Sequence, residues 1–329
     1  MENVNIGIIG TGHLGKLHTK LLQEVENCKL IGIHDLDAER LREVSEEFHV
    51  SAFTDYESLL NEADAVSIVA TTSAHYELAK AALQKGKHVF VEKPITAAIG
   101  EAEEIVEIAE KNNLKLQVGH IERFNPALLS LEKYNLDPKF IQTDRLAQFN
   151  PRGTDVAVVL DLMIHDIDII LSLIKSKVKR ISASGVAVVS DKLDIANARL
   201  EFENGAVANV TASRISQKKM RKMRMFQRDA YLSLDFITGV SEVFRLLSPE
   251  AVNDAGIINF GEIGVGDKKK MIVYEQPEQM EVNSLKYELQ LFVNAVLNDE
   301  TPKVTGKDGL RALRVAEMII EKIEETKII

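Results

Sequence analysis

A short apolar run, Asn5 to Ile9, leads straight into Gly10-Thr11-Gly12-His13-Leu14-Gly15, and an acid, Asp35, follows the next apolar run. No other feature restricts the fold as much. The three glycines have the spacing needed for a tight turn, a close backbone approach to pyrophosphate and close packing of helix on strand. The helix that begins behind them offers unpaired N–H groups and a positive dipole end to phosphates. A glycine-rich turn can also serve packing alone. Its place between the first strand and a helix, with Asp35 after the second strand, favours a dinucleotide site.

The rest of the N-terminal part agrees. Strand patterns at Asn5–Ile9, Lys29–His34, Ala65–Ala70, His88–Val91 and Lys115–Val118 alternate with helical patterns at Leu14–Gln23, Ala38–Phe48, Ala74–Lys85 and Gly100–Asn112. This alternation predicts an α/β domain over residues 1–120 with a doubly wound parallel sheet, a Rossmann fold. Thr54-Asp55-Tyr56-Glu57 has capping-box spacing and starts a short helix before the third strand. Asp35 is placed to accept from the adenosine ribose and to repel a 2′-phosphate, which favours NAD over NADP; its other reading is an N-cap. Asp37 adds negative charge nearby, and Arg40 is the nearest arginine. Thr71 and Thr72 can line the cofactor. His75 reads equally as a site residue or as a surface residue of a first helical turn.

Glu92-Lys93-Pro94 ends the fourth strand, where open α/β sheets bind ligands. The proline restricts Lys93 to an extended or turn conformation. Glu92 and Lys93 therefore join the candidate cofactor-binding residues Gly10, Thr11, Gly12, His13, Leu14, Gly15, Asp35, Thr71, Thr72 and His75.

Over 329 residues the net charge is −10, which argues against a general binder of nucleic acid or anionic membrane. The single cysteine, Cys28, excludes an intrachain disulfide and fits a reducing cytoplasm. The strand pattern begins almost at the first residue, which leaves no room for a signal peptide, and Val156–Ile174 is too polar for a membrane span. A cytoplasmic protein is expected.

Residues 121–329 read as an α+β domain for substrate binding and oligomerisation, with a predominantly antiparallel open sheet. Alternating segments lie at Phe140–Phe149, Val178–Val189, Ile195–Glu203, Ala206–Ser213, Met223–Asp235 and Ser241–Leu247, with a hairpin signal at Asn204-Gly205. Leu285–Leu297 and Gly309–Thr326 read as helices. A further helix is expected from Val156, on which Asp161, His165 and Asp168 share a face while Asp166 points about 140° away from Asp161 at about 100° per residue. A histidine near a carboxylate suits a general base. It equally suits an ion pair holding the helix to its neighbour. No metal is expected, because no further His/Cys cluster accompanies these residues. Arg214 to Arg224 is a concentrated basic run in an acidic chain, suited to phosphate recognition or to a solvated loop or subunit contact.

The Gly10–Gly15 loop, Asp35, Glu92-Lys93-Pro94 and Asp161-x3-His165, in this order and with an antiparallel second domain, resemble the glucose–fructose oxidoreductase/inositol dehydrogenase (Gfo/Idh/MocA) family of NAD(P)-dependent dehydrogenases. The resemblance covers essentially the whole chain. It implies Lys93, Asp161 and His165 as the catalytic set, and dimers or tetramers formed through the open sheet. Gly119–Pro126 and Leu160–Asp168 look like the branch that includes UDP-N-acetylglucosamine 3-dehydrogenases. Candidate substrate contacts are then Arg123, Asn125, Arg152, Asp168 and Arg214. The expected reaction is hydride transfer from a secondary hydroxyl of a sugar or nucleotide sugar to NAD. The alternatives are a free sugar or polyol substrate, reduction of an imine or tetrapyrrole, and a non-catalytic ligand-sensing regulator of the same fold.

Overall fold

The computed structural model describes residues 2–150, 156–248 and 258–326. It divides into two compact units, Met1–Ile121 with Val282–Arg314, and Glu122–Glu281 with Val315–Ile329.

The first unit is a parallel sheet of β1 (Val4–Ile9), β2 (Cys28–His34), β3 (Ala65–Ile68), β4 (His88–Glu92) and β5 (Leu116–Gly119), in the order β2-β1-β3-β4-β5. The helices α1 (His13–Leu22), α2 (Ala38–Phe48), α3 (Tyr56–Glu62), α4 (Thr72–Gln84) and α5 (Ile99–Lys111) alternate with the strands. All four residues of β3 are buried, as a central parallel strand requires. The strand order reverses between β1 and β3, and the carboxyl ends there form the expected ligand crevice.

Two details differ from the sequence expectation. The cap of α3 is Asp55, not Thr54: its carboxylate accepts from the amides of Glu57 and Ser58. Likewise Asp37, not Asp35, caps α2 by accepting from the Arg40 amide at 3.1 Å. A region assigned to the second domain from sequence folds with the first. The helix α8 (Ser284–Leu297) puts Leu285, Leu289, Phe292, Val293 and Val296 into one core with Val4, Ile6, Ile8, Leu22 and Phe90. Phe90 and Phe292 meet edge to face, their centroids 5.8 Å apart.

The second unit is built on a nine-stranded sheet of β6 (Phe140–Leu146), β7 (Val178–Val186), β8 (Ile195–Phe202), β9 (Val207–Ser213), β10 (Met220–Phe226), β11 (Ala230–Asp235), β12 (Val240–Leu247), β13 (Ile258–Ile263) and β14 (Lys270–Glu275). The order is β13-β14-β12-β11-β10-β6-β9-β8-β7, antiparallel except for the β6–β9 pair. The short α6 (Pro126–Leu129) and α7 (Ile164–Leu173) belong to this unit, and α9 (Gly306–Thr326) runs across the division between units. The segment read as one strand, Met223–Asp235, is two strands joined by a hairpin at Gln227–Asp229. The turn, Gln227-Arg228-Asp229, holds no glycine or asparagine to mark it.

The two faces of this sheet differ. Ile141, Thr143 and Arg145 of β6, Ala196, Ala198 and Leu200 of β8 and Met223 and Met225 of β10 are buried on the covered face. On the other face, Phe140, Phe226, Tyr231, Phe244 and Tyr274 lie opposite one another across successive strands, with centroids 4.8–5.9 Å apart, and Phe260 joins the row. Among the described residues no helix is long and apolar enough to cross a membrane.

Candidate functional site

In the first unit, the carboxyl ends of β1, β2 and β3 surround a cavity of about 630 Å3 lined by Gly10, Gly12, His13, Leu14, Asp35 and Thr71, with Arg40 and Ala70 nearby. The loop geometry leaves little alternative at two positions. Gly10 adopts φ +97°, and a Cβ there would lie 2.7 Å from the backbone of Val69 and Ala70. A Cβ on Gly15 would lie 2.1 Å from the Gly10 carbonyl oxygen. No side chain caps α1 at Gly12, so its first-turn N–H groups remain for a ligand. These features fit a dinucleotide's pyrophosphate.

Asp35 Oδ2 accepts from the Thr11 amide at 2.6 Å and the Thr11 hydroxyl at 2.9 Å, and Oδ1 accepts from the Asp37 amide. Burial works against its charge, but these donors and Arg40 hold its carboxyl below the usual range. Asp35 thus ties the glycine loop to the end of β2 while staying ionised in the cavity wall. Arg40, in the first turn of α2, lies 3.9 Å from Asp35 and 3.1 Å from Asp37.

Lys93 is anchored on both sides. Glu92 Oε2 accepts from the Lys93 amide at 3.2 Å, and Glu92 Oε1 lies 3.2 Å from His18 Nε2. His18 Nδ1 is 2.9 Å from the Ser67 hydroxyl, and both of these residues are buried. An ionised carboxylate only accepts, so Nε2–H donates to Glu92. Burial pushes the Glu92 carboxyl up, but the His18 hydrogen bond and charge, the Lys93 charge and the Lys93 amide outweigh it and hold the carboxyl low. On the other side, His75 Nδ1 lies 2.9 Å from the Pro94 carbonyl oxygen and Nε2 lies 3.1 Å from that of Ala70. His75 is 1% exposed, which overturns its surface reading: it fastens the turn after Lys93. The Lys93–Pro94 peptide bond is cis. His18 was not legible as a site residue, because its partners are 49 and 74 positions away.

In the second unit, the segment expected to be a regular helix begins with a π turn, Val159–Met163, and continues as α7. The wider turn holds Asp161, so the constant 100° advance fails between Asp161 and His165. Asp161 and His165 are half-buried. Asp168 follows His165 by three residues in α7 and is itself paired. It is 1% exposed and accepts two hydrogen bonds of 2.6 Å from Arg123. Asp166, also buried, accepts two of 2.9 Å from Arg145, whose Nη1 donates to Glu122 at 2.8 Å. Burial pushes the Asp166 carboxyl up against the pull of Arg145. The two acids that follow His165 are therefore clamps that set the rotation of α7.

Other candidate substrate contacts are also engaged. Asn125 caps α6 and donates to the Phe236 carbonyl at 3.0 Å. Arg214 is buried, with Nε 3.1 Å from Asp194 and Nη2 donating to the carbonyls of Val156 and Leu193. Arg152 lies outside the described residues. A cleft of about 570 Å3 is lined by Asp161, Leu162, Lys219, Arg221, Phe236 and Ile237, with Arg214 in its wall. Lys219 and Arg221 were within the basic run but not singled out.

The model of the oxidoreductase family with an NAD-binding Rossmann fold matches residues 4–120, and that of the Gfo/Idh/MocA C-terminal domain matches residues 136–230. The chain is 36% identical to UDP-N-acetylglucosamine 3-dehydrogenase of Acidithiobacillus ferrooxidans over 98% of both chains. A solved structure of that enzyme covers 99% of both chains with a TM-score of 0.87 and 34% identity. Myo-inositol 2-dehydrogenase of Thermotoga maritima is 26% identical over 98% of this chain and 97% of that one. With both units matched, and with the glycine loop and the fastened Glu-Lys-Pro turn in place, the chain belongs to the Gfo/Idh/MocA family of NAD-binding oxidoreductases.

Proposed function

We propose that this protein oxidises the C3 hydroxyl of UDP-N-acetylglucosamine with NAD as acceptor. The observation that carries this reading is the likeness to the Acidithiobacillus enzyme, which runs the length of both units. The cleft that holds Asp161 beside cationic side chains supports it.

The glycine loop, the first turn of α1 and Asp35 hold the dinucleotide, with Thr71, Thr72 and the Glu92–Lys93 turn along its edge. When bound, the nicotinamide supplies the hydride acceptor. The remaining work belongs to the chain. His165 removes the hydroxyl proton, and Asp161 orients His165 or binds a neighbouring hydroxyl. Lys93, kept in place by Glu92 and the Pro94 carbonyl, donates a hydrogen bond to the reacting oxygen and stabilises its developing charge. NAD is preferred over NADP, since an ionised Asp35 repels a 2′-phosphate and Asp37 occupies Arg40.

The protein works as a homodimer or homotetramer associated through the open face of the nine-stranded sheet. The aromatic row there is flanked by internally paired charges, Lys222 with Asp235 and Arg224 with Asp144, so little unpaired charge opposes a second copy. The cytoplasm suits its single thiol.

Lys93→Met and His165→Ala test the residue roles. Each should lower turnover by roughly a hundredfold or more, while NAD binding followed by fluorescence stays close to wild type. Near-normal turnover in either variant removes that residue from the mechanism.

A further inference from the structure

The basic run Arg214–Arg224 is sorted by the pleat of β10. Arg221 lies on the same face as the fully buried Met223 and Met225, whereas Lys222 and Arg224 share the open face with Phe226. The two open-face cations are spent on Asp235 and Asp144 across neighbouring strands, at 3.5 and 3.6 Å. Arg214 is neutralised by Asp194 and two backbone carbonyls.

Two cations in the Asp161 cleft therefore have charge to offer. Lys219 is exposed and has no carboxylate partner among the described residues. Arg221 is half exposed, and only its Nη1 reaches Glu122, at 3.3 Å. That Glu122 oxygen already accepts a shorter bond from Arg145, so most of the Arg221 fork stays open for a second acceptor.

We propose that Lys219 and Arg221 form a diphosphate subsite, which fixes the substrate class of this cleft as nucleoside-diphosphate sugars. The inference rests on the function proposed above. The diphosphate of such a sugar carries two negative charges, one per phosphate, and the cleft offers two cations. Arg221 contributes bidentate geometry and Lys219 a mobile point charge. Asp161 lies in the same cleft for the sugar, and Phe236 and Ile237 give it an apolar wall. A cleft of about 570 Å3 is of the size that encloses a ligand of this class.

The test compares Lys219→Gln and Arg221→Gln with the open-face controls Lys222→Gln and Arg224→Gln. The readouts are the KM for UDP-N-acetylglucosamine and, independently of turnover, the Kd of UDP by calorimetry in the presence of NAD. Each cleft substitution should raise both constants about tenfold or more, with kcat changed by less than about threefold, since a charge-assisted hydrogen bond is worth at least that much. The controls should bind UDP like wild type. Lys219 is exposed, so its variant folds even if the Arg221 variant melts early. Unchanged UDP binding in both cleft variants, or equal losses in the controls, would overturn the subsite. If UDP-N-acetylglucosamine is oxidised while the cleft variants behave as wild type, only the subsite falls. If UDP binding weakens as expected but a different nucleotide sugar is the one oxidised, the subsite stands and the proposed substrate falls. A wild-type protein that neither binds UDP nor oxidises its sugar conjugate contradicts both.

Discussion

His18 Nε2 lies 3.2 Å from Glu92 Oε1, and the other oxygen of Glu92 accepts the amide of Lys93, so a histidine of the first helix holds the turn that carries the lysine. The contact joins two families of sequence signal, the glycine loop and the Glu-Lys-Pro turn, through a buried ring. His18→Ala should leave the sheet intact but loosen the Lys93 turn. Turnover is expected to fall about ten- to a hundredfold, the range for small misplacements of a reacting group, with the KM for substrate changed much less. His18→Asn, which retains a donor, should recover part of the loss. Wild-type kcat in His18→Ala would contradict the positioning role.

Asp35 both fastens Thr11 and presents charge to the cofactor cavity. In Asp35→Ser the absolute rate should drop, because the loop loses its tie. The informative quantity is the ratio of kcat/KM for NAD to that for NADP. It should fall at least about tenfold as the repulsive carboxylate disappears and Arg40 loses a neighbour. A ratio unmoved by the substitution would mean that Asp35 does not discriminate.

Asp194 contributes pH-dependent stability. Burial opposes its charge, yet the amides of Val188, Val189 and Ser190 and the Ser190 hydroxyl hold its carboxyl down to about 2, with Arg214 3.1 Å away. Its folded value is below its unfolded one. Its contribution is therefore complete above the unfolded pKa of about 4 and is lost as pH falls toward the folded value. Asp194→Ala should destabilise the protein by roughly 3 kcal/mol or more at neutral pH by leaving the buried Arg214 charge without its carboxylate. Chemical denaturation at neutral pH and near pH 3 should show the gap between Asp194→Asn and wild type narrowing in acid. A gap that widens in acid would refute the assignment.

The aromatic row predicts the assembly surface. Phe226→Glu combined with Phe260→Glu should lower the mass measured by light scattering to that of a monomer, since both side chains are exposed at 43% and 58% on the open face. Retention of the wild-type mass in this double variant would place the interface elsewhere.

Much of the fold was legible because its signals are local. The glycine loop, Asp35, the strand–helix alternation and the Glu92-Lys93-Pro94 turn each lie within a few residues, and all appear where the pattern put them. What escaped depended on distance or on geometry that spacing cannot encode. Ser67 and Glu92 give His18 its role, and no local pattern announces them. Asp161 and His165 have the same separation in a π turn as in an α-helix. An apolar helical face such as Leu285–Val296 does not declare which core it will enter, so it was assigned to the second domain. The partners of the candidate substrate contacts were not legible either: Arg123 pairs with Asp168, Arg214 pairs with Asp194, and Asn125 caps α6. Charged motif residues near a site are costly to bury unpaired, and pairing with one another resolves that cost.

The most direct measurement is the absorbance of NADH after UDP-N-acetylglucosamine is added to purified protein and NAD, with N-acetylglucosamine and myo-inositol in parallel. NADH formation with the nucleotide sugar, together with a 3-keto product by mass spectrometry after trapping, is the predicted result. NADH formation with a free sugar or polyol but none with the nucleotide sugar would contradict it.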